Sequence, residues 1–188
     1  MNKQVVIFGL AANPIHAGHI AVAKELAKHK DEVWLSPCCS HMHDKRMANA
    51  QDRLEMARLA IDSLEKIKIC SIEIDEELAI PTYEFLNKLK DRYPEIDFSF
   101  AIGQDNADSI EKWKYHKELI TEFPFVVLPR GEEQGNGQWY TKSPHIFLPT
   151  FELLEISSTE IRQNVEQNKQ WLHPAVYEYI QQHKLYNG

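Results

Sequence analysis

The chain lacks any long hydrophobic run, has few cysteines and carries no excess of basic residues. No apolar stretch approaches the roughly 20 residues needed to span a bilayer, so no membrane segment is expected. Three cysteines in 188 residues are too few and too irregular for a disulfide framework, and an odd number leaves one unpaired, which fits a reducing cytoplasm. The opening MNKQVVIFGLAANP has one lysine and a short apolar run broken by Gly, Asn and Pro, unlike a signal peptide. With 21 Lys and Arg against 28 Asp and Glu, the formal charge is −7. That balance argues against a nucleic-acid or membrane coat, and leaves room only for a local pocket taking small phosphate ligands.

What is present suits one globular domain over residues 1–188. At 43% hydrophobic and 26% charged, such a chain buries roughly 70% of its unfolded surface. Apolar, β-branched runs recur at QVVIF, EVWLSP, IKICSIEI, DFSFAIG, FPFVVLP and HIFLPT, with helix-like segments between most of them. The alternation predicts an α/β fold with a Rossmann-like parallel sheet flanked by helices. Ala23, Leu26 and Ala27 keep helical spacing, as do Leu54, Ala57, Ile61 and Leu64. Proline near its start, with Tyr83, Leu86, Leu89 and Tyr93 on one side, predicts a crossover helix over 81–93. RGEEQGNGQWYTKSP reads as a long loop. Ser157 followed by Glu160 forms a capping-box pattern ahead of Ile161 and Val165, so a helix starts there. HPAVYEYIQQHKLY reads as a final amphipathic helix with Val176, Tyr179, Ile180 and His183 on one face.

GLAANPIHAGH, residues 9–19, sits where the first strand should end and a helix begin. Ligands of open α/β sheets bind at such strand ends, where helix N-termini present free N–H groups. Gly9 and Gly18 keep the turn free of bulk, Pro14 stiffens it, and His16 and His19 lie three residues apart on one side of the first turn. Imidazoles placed so can donate to phosphate oxygens and, when protonated, offset developing negative charge.

The H-x-G-H of His16-Ala17-Gly18-His19, preceded by Asn13-Pro14-Ile15, resembles the nicotinate and nicotinamide mononucleotide adenylyltransferases of the nucleotidyltransferase superfamily. Two downstream motifs extend the resemblance almost end to end. Gly103, Asp105 and Trp113 in IGQDNADSIEKW match a G-x-D and later Trp, in which the carboxylate holds ribose hydroxyls and the indole stacks on a pyridine ring. Ile156-Ser157-Ser158-Thr159-Glu160-Ile161-Arg162 looks like the family's I-S-S-T-x-I-R. His43, Lys45, Arg53 and Leu54 match a His-Lys pair and an R-L-x-M helix, although Asp44 separates His43 from Lys45. Thr82 and Tyr83 fall at a substrate-facing loop and helix start.

The resemblance implies transfer of AMP from ATP, with Mg2+, to nicotinate or nicotinamide mononucleotide in NAD biosynthesis. His16, His19, Lys45 and Arg162 are then the catalytic candidates. Gly9, Leu10, Ala11, Gly18, Gly103, Asp105, Ile156, Ser157 and Ser158 fall to ATP, and Asn13, Lys45, Thr82, Trp113 and Arg130 to the mononucleotide. ATP and the pyridine mononucleotide are the expected partners; monomer and homo-oligomer both stay open. The chain departs from the family pattern at Leu10-Ala11-Ala12, where a glycine, a small hydroxyl residue and an aromatic are usual. It departs again at His41-Met42, which replace paired prolines, and at Pro129-Arg130-Gly131, which replaces R-P-G. Another phosphorylated acceptor such as phosphopantetheine, and a catalytically weakened nucleotide-binding regulator, remain alternatives. Cys38, Cys39, His41 and His43 crowd together, but adjacent cysteines lack zinc-site spacing, so a mobile substrate loop is expected and no metal is assigned.

Overall fold

The structure is a computed structural model that describes residues 2–39, 47–129 and 138–186. Six strands form one parallel sheet: β1 (Lys3–Leu10), β2 (Glu32–Pro37), β3 (Ile67–Ile69), β4 (Ile96–Gly103), β5 (Phe125–Leu128) and β6 (Ile146–Phe147), in the order β3-β2-β1-β4-β5-β6. The helices are α1 (Ala17–Leu26), α2 (Ala50–Ile61), α3 (Ile72–Asp75), α4 (Thr82–Arg92), α5 (Gln104–Asp108), α6 (His116–Glu122), α7 (Ser158–Gln163) and α8 (Pro174–Gln182). The Rossmann-like fold class read from the alternating pattern is what the chain adopts.

The period of two along β1 divides the core. Val6 joins Leu26, Val33, Leu35, Met56 and Ala57 on one face of the sheet, whereas Val5 and Ile7 join Phe85, Leu86, Leu89 and Phe98 on the other. Burial on both faces explains why the strands read as continuous apolar runs. The strand order reverses direction between β1 and β4, and the chain leaves their carboxyl ends on opposite sides. That divergence opens a crevice where an α/β sheet takes its ligands.

Several sequence expectations are corrected. IKICSIEI is a strand only over Ile67–Ile69; the Ser71 carbonyl then accepts from the Ile74 and Asp75 N–H groups, and the chain turns into α3. HIFLPT contributes just Ile146–Phe147 to the sheet. The tail of the expected long loop is a 3-10 turn, Trp139–Thr141, with Tyr140 completely buried and its hydroxyl on Asp108 at 2.8 Å. On α4 the buried side chains are Phe85, Leu86 and Leu89 rather than Tyr83 and Tyr93.

The C-terminal helix is shorter than its sequence pattern, and only Val176 and Ile180 are fully buried on it. Tyr179 and His183 stack on each other at 4.0 Å, and the Tyr179 hydroxyl donates to Asp52 at 2.8 Å. Beyond it, Tyr186 donates to Asn13 Oδ1 at 2.8 Å, tying the chain's end to the first strand–helix turn. Tyr186→Phe should lower unfolding stability by about 1 kcal/mol, the net value of one hydrogen bond. Denaturant unfolding measures it; an unchanged midpoint would show that this link contributes nothing.

Candidate active site

A cleft of about 1070 Å³ opens at the carboxyl ends of β1, β2, β4 and β5. Twelve of the candidate residues line it: Gly9, Leu10, Ala11, His16, Gly18, His19, Thr82, Gly103, Trp113, Ile156, Ser157 and Ser158. Segments more than 140 residues apart in sequence are thus brought to one cleft. Lys45 and Arg130 lie outside the described residues, as do His41 and His43 of the Cys/His cluster.

The two histidines hold each other. His16 is the N-cap of α1, its Nδ1 accepting the Gly18 N–H at 3.1 Å, while the His16 N–H donates to His19 Nδ1 at 3.2 Å. This is a capping box built from imidazoles. Gly18 has to be glycine, because a Cβ there would lie 2.9 Å from His16 Cε1. Since each Nδ1 is an acceptor, each neutral ring carries its proton on Nε2, leaving that N–H as its donor. Burial lowers the His16 pKa to about 4, opposed by the nearby Glu160 charge. Burial, with His16 beside it, lowers that of His19 to about 3. Of the two forms considered from sequence, this favours the neutral ring, which offers a directed N–H dipole.

At the other wall, Ser157 caps α7 through a capping box with Glu160, and Ser158 Oγ donates to Pro14 O at 3.0 Å. Both hydroxyls thus have partners within the protein, and Glu160 adds a carboxylate to the cleft. Arg162 does not line the cleft; its Nη1 donates to Asn13 O at 2.9 Å and its Nη2 to Thr159 Oγ1 at 3.3 Å, joining the third motif to the first.

Asn13 is only 2% exposed, and its Oδ1 accepts from the Ala48 N–H and the Tyr186 hydroxyl, which holds the turn in place. Asp105 is exposed beside the cleft, whose lining there is Gly103 and Asn106. Trp113 is half-buried, edge-on to Phe100 at 6.3 Å, and keeps part of the indole on the cleft.

Two residues stand out that no role was assigned to from sequence. Arg53, 0% exposed, donates to three backbone carbonyls: Ala11 O at 2.7 Å, Ala48 O at 3.0 Å and Cys39 O at 3.0 Å. Its fork fastens the turn after β1 to the end of β2 and the approach to α2. Glu73, on α3, lines the cleft and accepts from Ser36 Oγ at 3.2 Å. Burial pushes its carboxyl up to about 7, against the Ser36 hydroxyl and the Arg53 charge, both of which favour ionisation.

This fold is shared with known proteins. A family model described as cytidylyltransferase-like matches residues 7–164. The chain belongs to that family. A probable nicotinate-nucleotide adenylyltransferase from Christiangramia forsetii is 31% identical across 99% of this chain and all of its own length. Another from Oceanobacillus iheyensis is 32% identical, covering 98% of this chain and 97% of the relative. Among solved structures, Plasmodium falciparum nicotinic acid mononucleotide adenylyltransferase complexed with NaAD superposes with a TM-score of 0.81 at 25% identity, covering 98% of each chain. The family resemblance read from the three motifs is borne out.

Proposed function

We propose that the chain is a nicotinate-nucleotide adenylyltransferase, joining ATP and nicotinate mononucleotide into the dinucleotide and pyrophosphate in NAD biosynthesis. The observation that carries this reading is the pair of neutral imidazoles aimed by their own capping box into a cleft whose other wall bears an indole and the start of α7. The mononucleotide phosphate attacks the ATP α-phosphorus as the bond to pyrophosphate breaks. No protein nucleophile is needed, so the protein contributes orientation and stabilisation of charge.

In this reading His16 and His19 donate to ATP phosphates, while Gly9, Leu10, Ala11, Gly18, Gly103, Ile156 and the α7 start at Ser157 and Ser158 shape the nucleotide's bed. Arg162 steadies the departing pyrophosphate from its seat on Asn13 O, and Asp105 serves a ribose. Thr82 and Trp113 face the acceptor, with Lys45 and Arg130 as cations for its phosphate. Nucleotidyltransferases generally use a divalent metal with ATP; here the cation is taken as Mg2+ entering as Mg-ATP, so it is part of the substrate. We read residues 1–188 as one nucleotidyltransferase domain working on small nucleotides in the cytoplasm, and three free cysteines support a reducing compartment.

Trp113→Ala tests the acceptor site. Loss of a stacking face of this kind is worth about 1–3 kcal/mol, so KM for the mononucleotide should rise roughly tenfold with little change for ATP. Steady-state pyrophosphate release, varying each substrate in turn, gives both constants. A larger change for ATP would put the indole on the wrong substrate.

A further inference from the structure

Among the described residues no lysine or arginine lines the cleft, whereas Glu73, Glu155 and Glu160 do. A site for two anionic nucleotides is thus edged by carboxyl groups. Glu160 is committed to the α7 cap, and Glu155 is exposed. Glu73 differs from both. It enters beside the end of β2, and its neighbour Ile72 is buried in the same side-chain layer against which Trp113 packs, the layer that carries the acceptor wall. Its charge state therefore bears on the acceptor more than on ATP.

Among the described residues the groups around it are few. From β2 and its end come Ser36 and Cys38, from α2 the buried Arg53, and from the end of β3 Cys70. Burial pushes both thiols up, leaving them uncharged at neutral pH. Lys88 and Arg92 of α4 are engaged with Glu76. Arg53 gives its hydrogen bonds to three backbone carbonyls and to Cys38 Sγ, none of them to the Glu73 carboxyl. Nothing in this set holds Glu73 ionised by direct ion pairing, and the acid form supplies an O–H donor to a cleft whose described lining has no lysine or arginine.

We propose that Glu73 is a specificity-determining residue of the acceptor site: as the uncharged acid it admits the mononucleotide bearing a ring carboxylate, and once ionised it disfavours that acceptor relative to the carboxamide. This rests on the acceptor reading given above. The carboxyl stays largely protonated below about pH 7 and ionises above it, so preference for the acid acceptor is present at low pH and lost as pH rises.

The experiment measures kcat/KM for nicotinate mononucleotide from pH 6 to 8.5 in the wild type and in Glu73→Gln, with nicotinamide mononucleotide as the uncharged-ring control. Gln keeps an oxygen for the Ser36 hydroxyl but cannot ionise. Dividing variant by wild type at each pH cancels the titrations of ATP, the acceptor phosphate and the histidines. The quotient for nicotinate mononucleotide should climb roughly tenfold across the range, the factor expected for unit charges about 10 Å apart at an effective dielectric constant of about 20. For the amide it should stay flat. A flat quotient for both, with activity present, overturns the role of Glu73 alone. Absence of turnover with both pyridine acceptors at every pH defeats the acceptor reading, and this proposal with it.

Discussion

Replacing His19 with alanine is expected to reduce turnover by about 10²–10³, the range found when one preorganised donor to developing charge is removed. The donor at stake is Nε2–H, whose direction is fixed because Nδ1 accepts the His16 N–H at 3.2 Å. Alanine also deletes that cap contact, which costs about 0.5–1.5 kcal/mol of stability. His19→Asn separates the two effects, since its amide oxygen can accept the His16 N–H while the Nε2–H is lost. Both variants should therefore be slow, and only the alanine variant less stable. Single-turnover rates with saturating Mg-ATP and mononucleotide measure the chemical step. A rate within threefold of wild type in either variant would remove His19 from the reaction.

The second large effect concerns stability. Arg53→Met deletes the donors that reach Ala11, Ala48 and Cys39, leaving three partly buried carbonyls without that partner. At about 1–3 kcal/mol for each group that finds no substitute, and with partial relaxation, the loss should be about 3–5 kcal/mol. For a chain of this length that is roughly a 10 °C fall in Tm. Arg53→Lys should lose less, because one ammonium can keep one or two of the bonds but cannot fork to all. Both variants should also weaken the cleft, since Ala11 is part of its wall. Denaturant unfolding decides: a loss below about 1 kcal/mol in Arg53→Met would show that the three carbonyls find other partners.

What the sequence made legible was local. The histidine turn and the Ser157/Glu160 cap depend on neighbours within four residues and appear where their patterns predict, and the strand-helix alternation holds apart from the shortened β3 and β6. Arg53 could be matched to a family position, but its work was invisible, because backbone carbonyls leave no mark in a sequence and these come from three separate segments. Glu73 was hidden by its surroundings: in I-E-I, an alternation that reads as strand, it would simply oppose two core isoleucines. The single turn of α3 instead directs it to the cleft while keeping Ile72 and Ile74 buried.

Asn13 and Arg162 carry contacts of another kind. Their motifs point to ligands, and across 149 positions Arg162 also reaches the Asn13 carbonyl. Asn13 in turn receives Tyr186 from the far end of the chain. Such long-range closures are set by how helices pack over the sheet, which periodicity does not encode. The charge state of the imidazoles was not legible for a related reason: proximity in sequence says nothing of burial, and burial lowers both pKa values to about 4 and about 3.

The most direct measurement of the central claim is product analysis after incubation with Mg-ATP and equal concentrations of nicotinate and nicotinamide mononucleotides. Chromatography resolves the two dinucleotides, and a coupled assay counts pyrophosphate. The account predicts dinucleotide and pyrophosphate in equal amounts, with the nicotinate product in excess at pH 6.5. Pyrophosphate or ADP without either dinucleotide, or product only when phosphopantetheine replaces the pyridine nucleotides, would contradict it.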